Sequence, residues 1–187
     1  MPHLYGKKVM LREYRDSDFE HIRAWVNNPK ITRNLSDIFL YPHSEEQTRR
    51  FMERASSGEL KGFVVARADT GEYLGQIDFT RLDLKNGCGE LGMVIGSEAD
   101  HGKGYGTEAL GLFLDFAFFE LRLNRVELLC WPFNTRARRL YEKMGFVLEG
   151  VRRQKRFRGG TYHDELCYGL LKEEWEQRRR QQPQSET

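Results

Sequence analysis

The chain has 187 residues, of which 31% are charged and 39% apolar, the balance of a soluble globular domain with enough apolar material for a real core. Lys plus Arg numbers 30 against 28 Asp plus Glu, a net charge of +2, which gives no general drive toward nucleic acid or a membrane surface. Cys88, Cys130 and Cys167 show neither metal-ligand nor CxxC spacing, and no apolar stretch approaches the roughly 20 residues of a membrane helix.

The first eight residues, Met1 to Lys8, lack the apolar run of a signal peptide, so reduced thiols in a cytoplasm are the expectation. Val9 to Arg12 reads as a first strand. Asp16-Ser17-Asp18 offers caps for a helix from about Phe19 to Asn27, with Ile22, Trp25 and Val26 on its apolar side and Asn27-Asn28-Pro29 as its stop. Residues 30 to 42 read as loop. Ser44-Glu45-Glu46-Gln47 is a capping box for a second helix to about Ala55. Gly62 to Arg67 and Tyr73 to Thr80 form a hairpin about Asp69-Thr70-Gly71, and Glu90 to Ile95 is a further strand. Thr107 to about Arg122 is strongly helical, with Leu110, Phe113, Leu114, Ala117 and Leu121 on one stripe. A strand from Arg125 to Trp131 precedes an amphipathic helix from Asn134 to about Met144, which Gly145 caps. Phe146 to Leu148 and Leu166 to Leu171 read as the last strands. Beyond Trp175 the composition turns to Gln and Arg, so residues 177–187 are expected to form a disordered polar tail behind a single α+β domain, 1–176.

The segment His101-Gly102-Lys103-Gly104-Tyr105-Gly106-Thr107 lies between a strand and the long helix. Alternating glycines admit left-handed backbone and close approach, so that N–H groups can converge. The following helix adds its unpaired N–H groups and the positive end of its dipole, making a site for phosphate or pyrophosphate. A Walker P-loop is excluded, since Ser97 stands where its first Gly belongs and Gly104 follows Lys103. Gly104, Gly106 and Ala109 satisfy the Rossmann pattern formally, but several strands and two helices precede them, and Glu127 starts the next strand where the acidic partner should end it.

At these residues the chain resembles the GNAT superfamily of N-acetyltransferases, in particular the branch of the ribosomal-protein acetyltransferases RimJ and RimL. His101 through Gly106 is similar to the family's Arg/Gln-x-x-Gly-x-Gly/Ala turn, with histidine in place of the first residue. Asn134 to Phe146 is similar to its N-x-x-A-x-x-x-Y-x-x-x-G-F segment, and Gly160 to Asp164, leading to Trp175, to the ending of the RimJ/RimL branch. The resemblance implies a mixed, mostly antiparallel twisted sheet of six or seven strands flanked by about four helices. It also implies acetyl-CoA as co-substrate, an amine acceptor and homodimerisation, with no metal.

Amide formation from a thioester requires a neutral amine, a polarised carbonyl and a proton for the departing thiolate. The resemblance assigns the pantetheine arm and thioester carbonyl to backbone N–H groups at Val94, Ile95 and Gly96. It assigns the pyrophosphate to His101, Gly102, Lys103, Gly104, Tyr105, Gly106 and Thr107, and a further cofactor contact to Asn134. Tyr141 is the family-matched general acid, seven residues after Asn134 and on about the same helical face. Glu90 is the first candidate for the base and Asp78 the second, with a water chain as the alternative to either. His163 and Asp164 adjoin on a strand, so their side chains point to opposite faces and form no catalytic pair. The basic run Arg152 to Arg158 reads as a solvated loop able to attract the adenosine 3′-phosphate or an acidic partner. Two acceptors stay open: a protein N-terminal α-amine, and a small amine such as a polyamine, amino acid or aminoglycoside. A non-catalytic acetyl-CoA-binding module is the other function the residues allow.

Overall fold

Val9, Leu11, Val64, Val65 and Ile77 are wholly buried, as expected of strands covered on both faces. They belong to a computed structural model that describes residues 3–181. The chain divides into two compact units. The first runs to Thr80 and resumes over Gly92–Phe113; the second holds Arg81–Leu91 and the residues from Leu114 onward. The chain passes between the units within two long strands and one helix.

In the first unit the strands are β1 (Leu4–Tyr5), β2 (Val9–Arg12), β3 (Gly62–Arg67), β4 (Tyr73–Asp83, to Thr80) and β5 (Cys88–Ile95, from Gly92), in that spatial order. Pairing from β1 to β4 is antiparallel, with Leu4 opposite Leu11, Val9 opposite Arg67 and Gly62 opposite Asp78. Helices α1 (Phe19–Val26), α2 (Pro29–Thr32) and α3 (Glu45–Ser56) belong to this unit, and α4 (Tyr105–Asp115) does so as far as Phe113. Ile22, Trp25, Val26 and Met52 close over Met10, Val64 and Ala66 in a buried cluster. The capping box forms as read: the Ser44 hydroxyl accepts from Gln47 N at 3.2 Å, and Gln47 Oε1 from Ser44 N at 2.7 Å.

Two local readings change. Asp16–Asp18 is a 3₁₀ turn before α1, because Asp18 is drawn inward by a bidentate pair from Arg12 at 2.8 and 2.7 Å. Pro29 stops α1 but also opens α2, where the Asn28 side chain accepts from Lys30 N.

In the second unit β6 (Arg125–Cys130) runs parallel to the start of β5, with Cys88 opposite Arg125 and Glu90 opposite Glu127. The order continues through β8 (Thr161–Leu171) to β7 (Val147–Arg158) at the edge. Helix α5 (Thr135–Met144) ends at Gly145, whose φ of 97° supplies the left-handed cap. The long helix expected from Thr107 to Arg122 widens into a π-helical turn over Phe116–Glu120 and stops at Arg122, φ 57°.

The mixed, mostly antiparallel sheet is as expected, and among the described residues it has eight strands, with six α-helices, against the six or seven strands and about four helices expected. The basic run 152–158 is strand, not loop. It pairs with β8, and the buried Glu165 holds Arg152 and Arg156 at 2.9 and 2.5 Å. Residues 177–181 of the tail expected from residue 177 are helical, because α6 (Lys172–Gln181) spans that boundary. Arg179 pairs with Asp115 and Arg178 donates to the carbonyl of Lys143, which ties down its last turn. Residues 182–187 lie outside those described. Among the described residues no helix is long and apolar enough to cross a membrane.

Candidate active site

The glycine-rich turn lies wholly in the first unit. Ser97 Oγ accepts from Ala99 N and starts a 3₁₀ turn over Glu98–Asp100, after which Gly102 (φ 77°) and Gly104 (φ 87°) take left-handed backbone. Space around Gly102 is open, and a Cβ on Gly104 would stand 3.4 Å from Lys8 Nζ. Helix α4 begins at Tyr105, so the N–H groups of Tyr105, Gly106 and Thr107 have no partner within the helix. This cradle, with the dipole end behind it, fits a pyrophosphate.

Side chains that the sequence did not reveal lock the cradle in place. The Glu108 carboxylate accepts from the backbone N–H groups of Lys7, Lys8 and Val9, each at 2.8 Å. Gly6 leaves room for it, since a Cβ there would come within 2.7 Å of Glu108 Cδ. Lys8 Nζ donates to the carbonyl of Lys103 at 3.0 Å. Arg67 donates to the Tyr105 hydroxyl at 2.7 Å and pairs with Asp100, which also holds Lys103 at 3.1 Å. A cleft of about 400 Å³ beside the turn is lined by Lys7, Lys8, Arg67, Asp69, Lys103 and Tyr105. A glutamate in a first helical turn is ordinary in a sequence, and nothing local marks partners about a hundred residues away.

Two of the residues expected at the cofactor also make contacts within the protein. His101 turns back and its Nε2 donates to the carbonyl of Ile95 at 3.1 Å. The Gly96 N–H donates to Leu74 at 2.9 Å, and a Cβ on Gly96 would meet Trp25 Cδ1 at 2.6 Å. Gly96 is therefore needed for packing, and its N–H is already engaged. Val94 lies beside Gly75, whose Cβ would strike the Val94 carbonyl, so β4 and β5 approach closely where the arm is expected.

The two candidate bases differ in surroundings. Asp78, in the first unit, is half-buried on β4 and makes no hydrogen bond or ion pair with a described residue. Desolvation pushes its carboxyl up to about 6. Gly62 and Gly92 leave space beside it, a Cβ on Gly92 standing 3.2 Å from Asp78 Oδ1. Tyr14 and Tyr73 are the titratable groups that sense it, and burial pushes both phenols upward. Glu90, in the second unit, stands 3.9 Å from Arg81, which also pairs with Glu127.

Asn134 and Tyr141 also belong to the second unit. Asn134 is the N-cap of α5: its Oδ1 accepts from Ala137 N at 3.3 Å, which leaves its amide nitrogen as the donor for any ligand. Tyr141 is 8% exposed between Phe146 and Tyr168. Burial, with a contribution from Cys130, pushes its phenol upward, and its hydroxyl bonds no described residue. His163 and Asp164 diverge as expected. His163 reaches the carbonyl of Arg158 and the rings of Trp131 and Phe133, while Asp164 accepts from Gln154 N.

Similarity to known proteins gives the family and the fold. The family model described as the acetyltransferase (GNAT) domain matches residues 8–147. The SPbeta prophage-derived uncharacterized N-acetyltransferase YokL of Bacillus subtilis (strain 168) is 31% identical over 171 residues, 91% of this chain and 94% of YokL. Two solved structures share the fold. RimL, the ribosomal L7/L12 alpha-N-protein acetyltransferase in complex with coenzyme A, superposes with a TM-score of 0.78 at 20% identity, over 91% of this chain and 98% of RimL. Spermidine N-acetyltransferase from Vibrio cholerae, in complex with CoA and spermine, gives 0.79 at 22% identity, over 91% and 99%. A glycine cradle opening a helix, a buried tyrosine seven residues after a capping asparagine, and a domain match over most of the length place the chain in the GNAT family, as an N-acetyltransferase.

Proposed function

We propose that this enzyme moves the acetyl group of acetyl-CoA to the α-amine of a protein N-terminus. The observation behind the acceptor is charge. On the resemblance to the RimJ/RimL branch, segments 27–41 and 152–162 line the acceptor side. Together they contain one carboxylate, Asp37, against seven basic residues: Lys30, Arg33, Arg152, Arg153, Lys155, Arg156 and Arg158. A polyamine is a polycation and needs carboxylates around it, whereas a peptide α-amine needs only one group to take its proton.

Asp78 is the group we assign to that step, ahead of Glu90. A carboxylate at about 6 is within about 2 units of an α-amine near 8, but more than 4 from an alkyl ammonium near 10.4. Asp78 takes the ammonium proton directly or through water, the neutral nitrogen attacks the thioester carbonyl, the C–S bond breaks, and the nitrogen's remaining surplus proton leaves to solvent. Tyr141 gives its proton to the departing thiolate sulfur, since burial keeps that phenol protonated across the neutral range. The backbone N–H groups from Gly102 to Thr107 hold the pyrophosphate, and Asn134 Nδ2 supplies a further donor.

The test is mass-spectrometric detection of product from acetyl-CoA and a mixed panel of N-terminal peptides, spermidine, free amino acids and an aminoglycoside. Peptides acetylated at the α-amine, with spermidine untouched, are the expected result. Acetylated spermidine with unmodified peptides would overturn the acceptor assignment.

A further inference from the structure

The hairpin of β7 and β8, residues 147–171, carries five basic side chains against three acidic, a net +2 equal to that of the entire chain. The surplus is therefore concentrated on one edge strand. Its acids are already engaged: Glu165 is 3% exposed and shared by Arg152 and Arg156, Glu149 is held by Arg125, and Asp164 accepts from Gln154 N. Between Arg152 and Arg156 the register with β8 shifts, and Gln154 takes a φ of 50°. Arg153 and Lys155 stand on either side of this bulge, exposed and without a hydrogen bond or ion pair to a described residue. Like charges gathered so closely repel, which makes the strip a site for an opposite charge.

We infer that this strip docks an acidic, extended segment of the acceptor protein, downstream of the N-terminal residue to be acetylated; the inference rests on the protein N-terminus as acceptor. The seven residues Arg152 to Arg158 span about 23 Å of extended chain, the reach of a peptide of similar length. Apolar side chains flank the charges, Val147, Leu148 and Val151 before them and Phe157 with Tyr162 after. They offer burial to a partner's side chains and nothing to a sugar–phosphate chain. The rings of Phe157 and Tyr162 pack against each other, tilted by 58° at 4.8 Å, so they are not splayed as platforms for nucleic-acid bases. A second copy would set five cations against five. The bulge also interrupts straight strand addition along this edge, so recognition falls on side chains.

The experiment uses the full chain, acetyl-CoA and peptides that share their first four residues and continue with six acidic, six neutral or six basic ones. KM for the acidic peptide is expected about tenfold below that for the neutral one, with similar kcat, and the gap should close in high salt. R153E/K155E should raise KM for the acidic peptide at least tenfold, in KM rather than kcat. R153Q/K155Q should do so less, and circular dichroism checks that both variants fold. An N-terminally blocked acidic peptide, which cannot be acetylated, should bind the wild-type chain and not R153E/K155E in fluorescence anisotropy. Equal KM values for acidic and neutral peptides, together with no binding of the blocked peptide, would overturn the docking site while leaving acetyl transfer to peptides intact. Binding of the blocked peptide without acetylation of any free one would sustain the surface and sink the acceptor reading instead. An oligouridine that displaces the blocked peptide and binds more tightly would overturn the assignment to a protein segment.

Discussion

A carboxylate left half-buried without a partner is costly, and Asp78 is held so on β4 beside two glycines. Its cost and its use are the same property. Raised to about 6, the carboxyl is ionised at neutral pH yet remains a better base than an ordinary aspartate. Asp78→Asn should lower kcat/KM about 10²-fold, and the rise of activity through pH 6 expected of the parent should be absent from its pH–rate profile. Water chains carrying the proton alone would leave both unchanged. Tyr141→Phe should lower kcat about tenfold or more with acetyl-CoA affinity within twofold, as read by stopped-flow and equilibrium binding; an unaltered kcat would remove the phenol from the mechanism. Tyr141 could be picked out of the sequence because its motif is local. The choice between Asp78 and Glu90 could not, since it turns on Arg81 standing beside one and on the lack of an ion pair to a described residue at the other.

At the scale of elements, the start of α4 depends on a contact that spans the unit from its first strands. Glu108 gathers three backbone N–H groups of residues 7–9 while Lys8 reaches the carbonyl of Lys103, so the cradle is braced from outside its own sequence. Glu108→Ala should cost about 2 kcal/mol, a fall in Tm of about 4–8 °C for a chain of this size, and should weaken acetyl-CoA binding severalfold. Gly104→Val should go further and abolish binding in a folded protein. Its Cβ enters the cradle at a φ of 87° that valine resists. Titration calorimetry with acetyl-CoA distinguishes the two, and normal affinity in Gly104→Val would defeat the placement of the pyrophosphate. Elements with punctuation were legible from the chain alone: the Ser44 capping box, the Asn134 cap and the Gly145 stop all lie where their residues put them. Strand β7 was not. Five basic residues in seven look solvated, and only the buried Glu165 on the facing strand shows why they pair. The end of α6 was missed for a similar reason, since the partners of Arg178 and Arg179 lie far back in the chain.

For the molecule as a whole, opposing carboxylates set the dependence of stability on pH. Burial alone would raise the Glu13 carboxyl, but hydrogen bonds from Arg15, its own backbone and His3 outweigh that and hold it at about 2. Glu149 is likewise lowered, chiefly by the hydrogen bonds of Arg125. A lowered carboxyl contributes stability above its unfolded value near 4.5, lost as the pH falls toward its folded one. Asp78 has the opposite sign. Its folded value exceeds the unfolded 3.8, so between 3.8 and about 6 the native state binds the extra proton and stability declines as the pH rises. The two slopes meet at about pH 4.5, where Tm should be greatest, about 1.5 units below the pH at which the Asp78 carboxylate becomes available as a base. Asp78→Asn should remove the decline between pH 4 and 6 and raise stability at pH 7.5 by about 1–2 kcal/mol, while leaving the acid limb below 4.5 in place. Calorimetric melts of both proteins from pH 3 to 8 read this directly. A parent Tm that climbs steadily to pH 7 would mean that Asp78 is solvated in solution, and the argument for it as the base would go with that result.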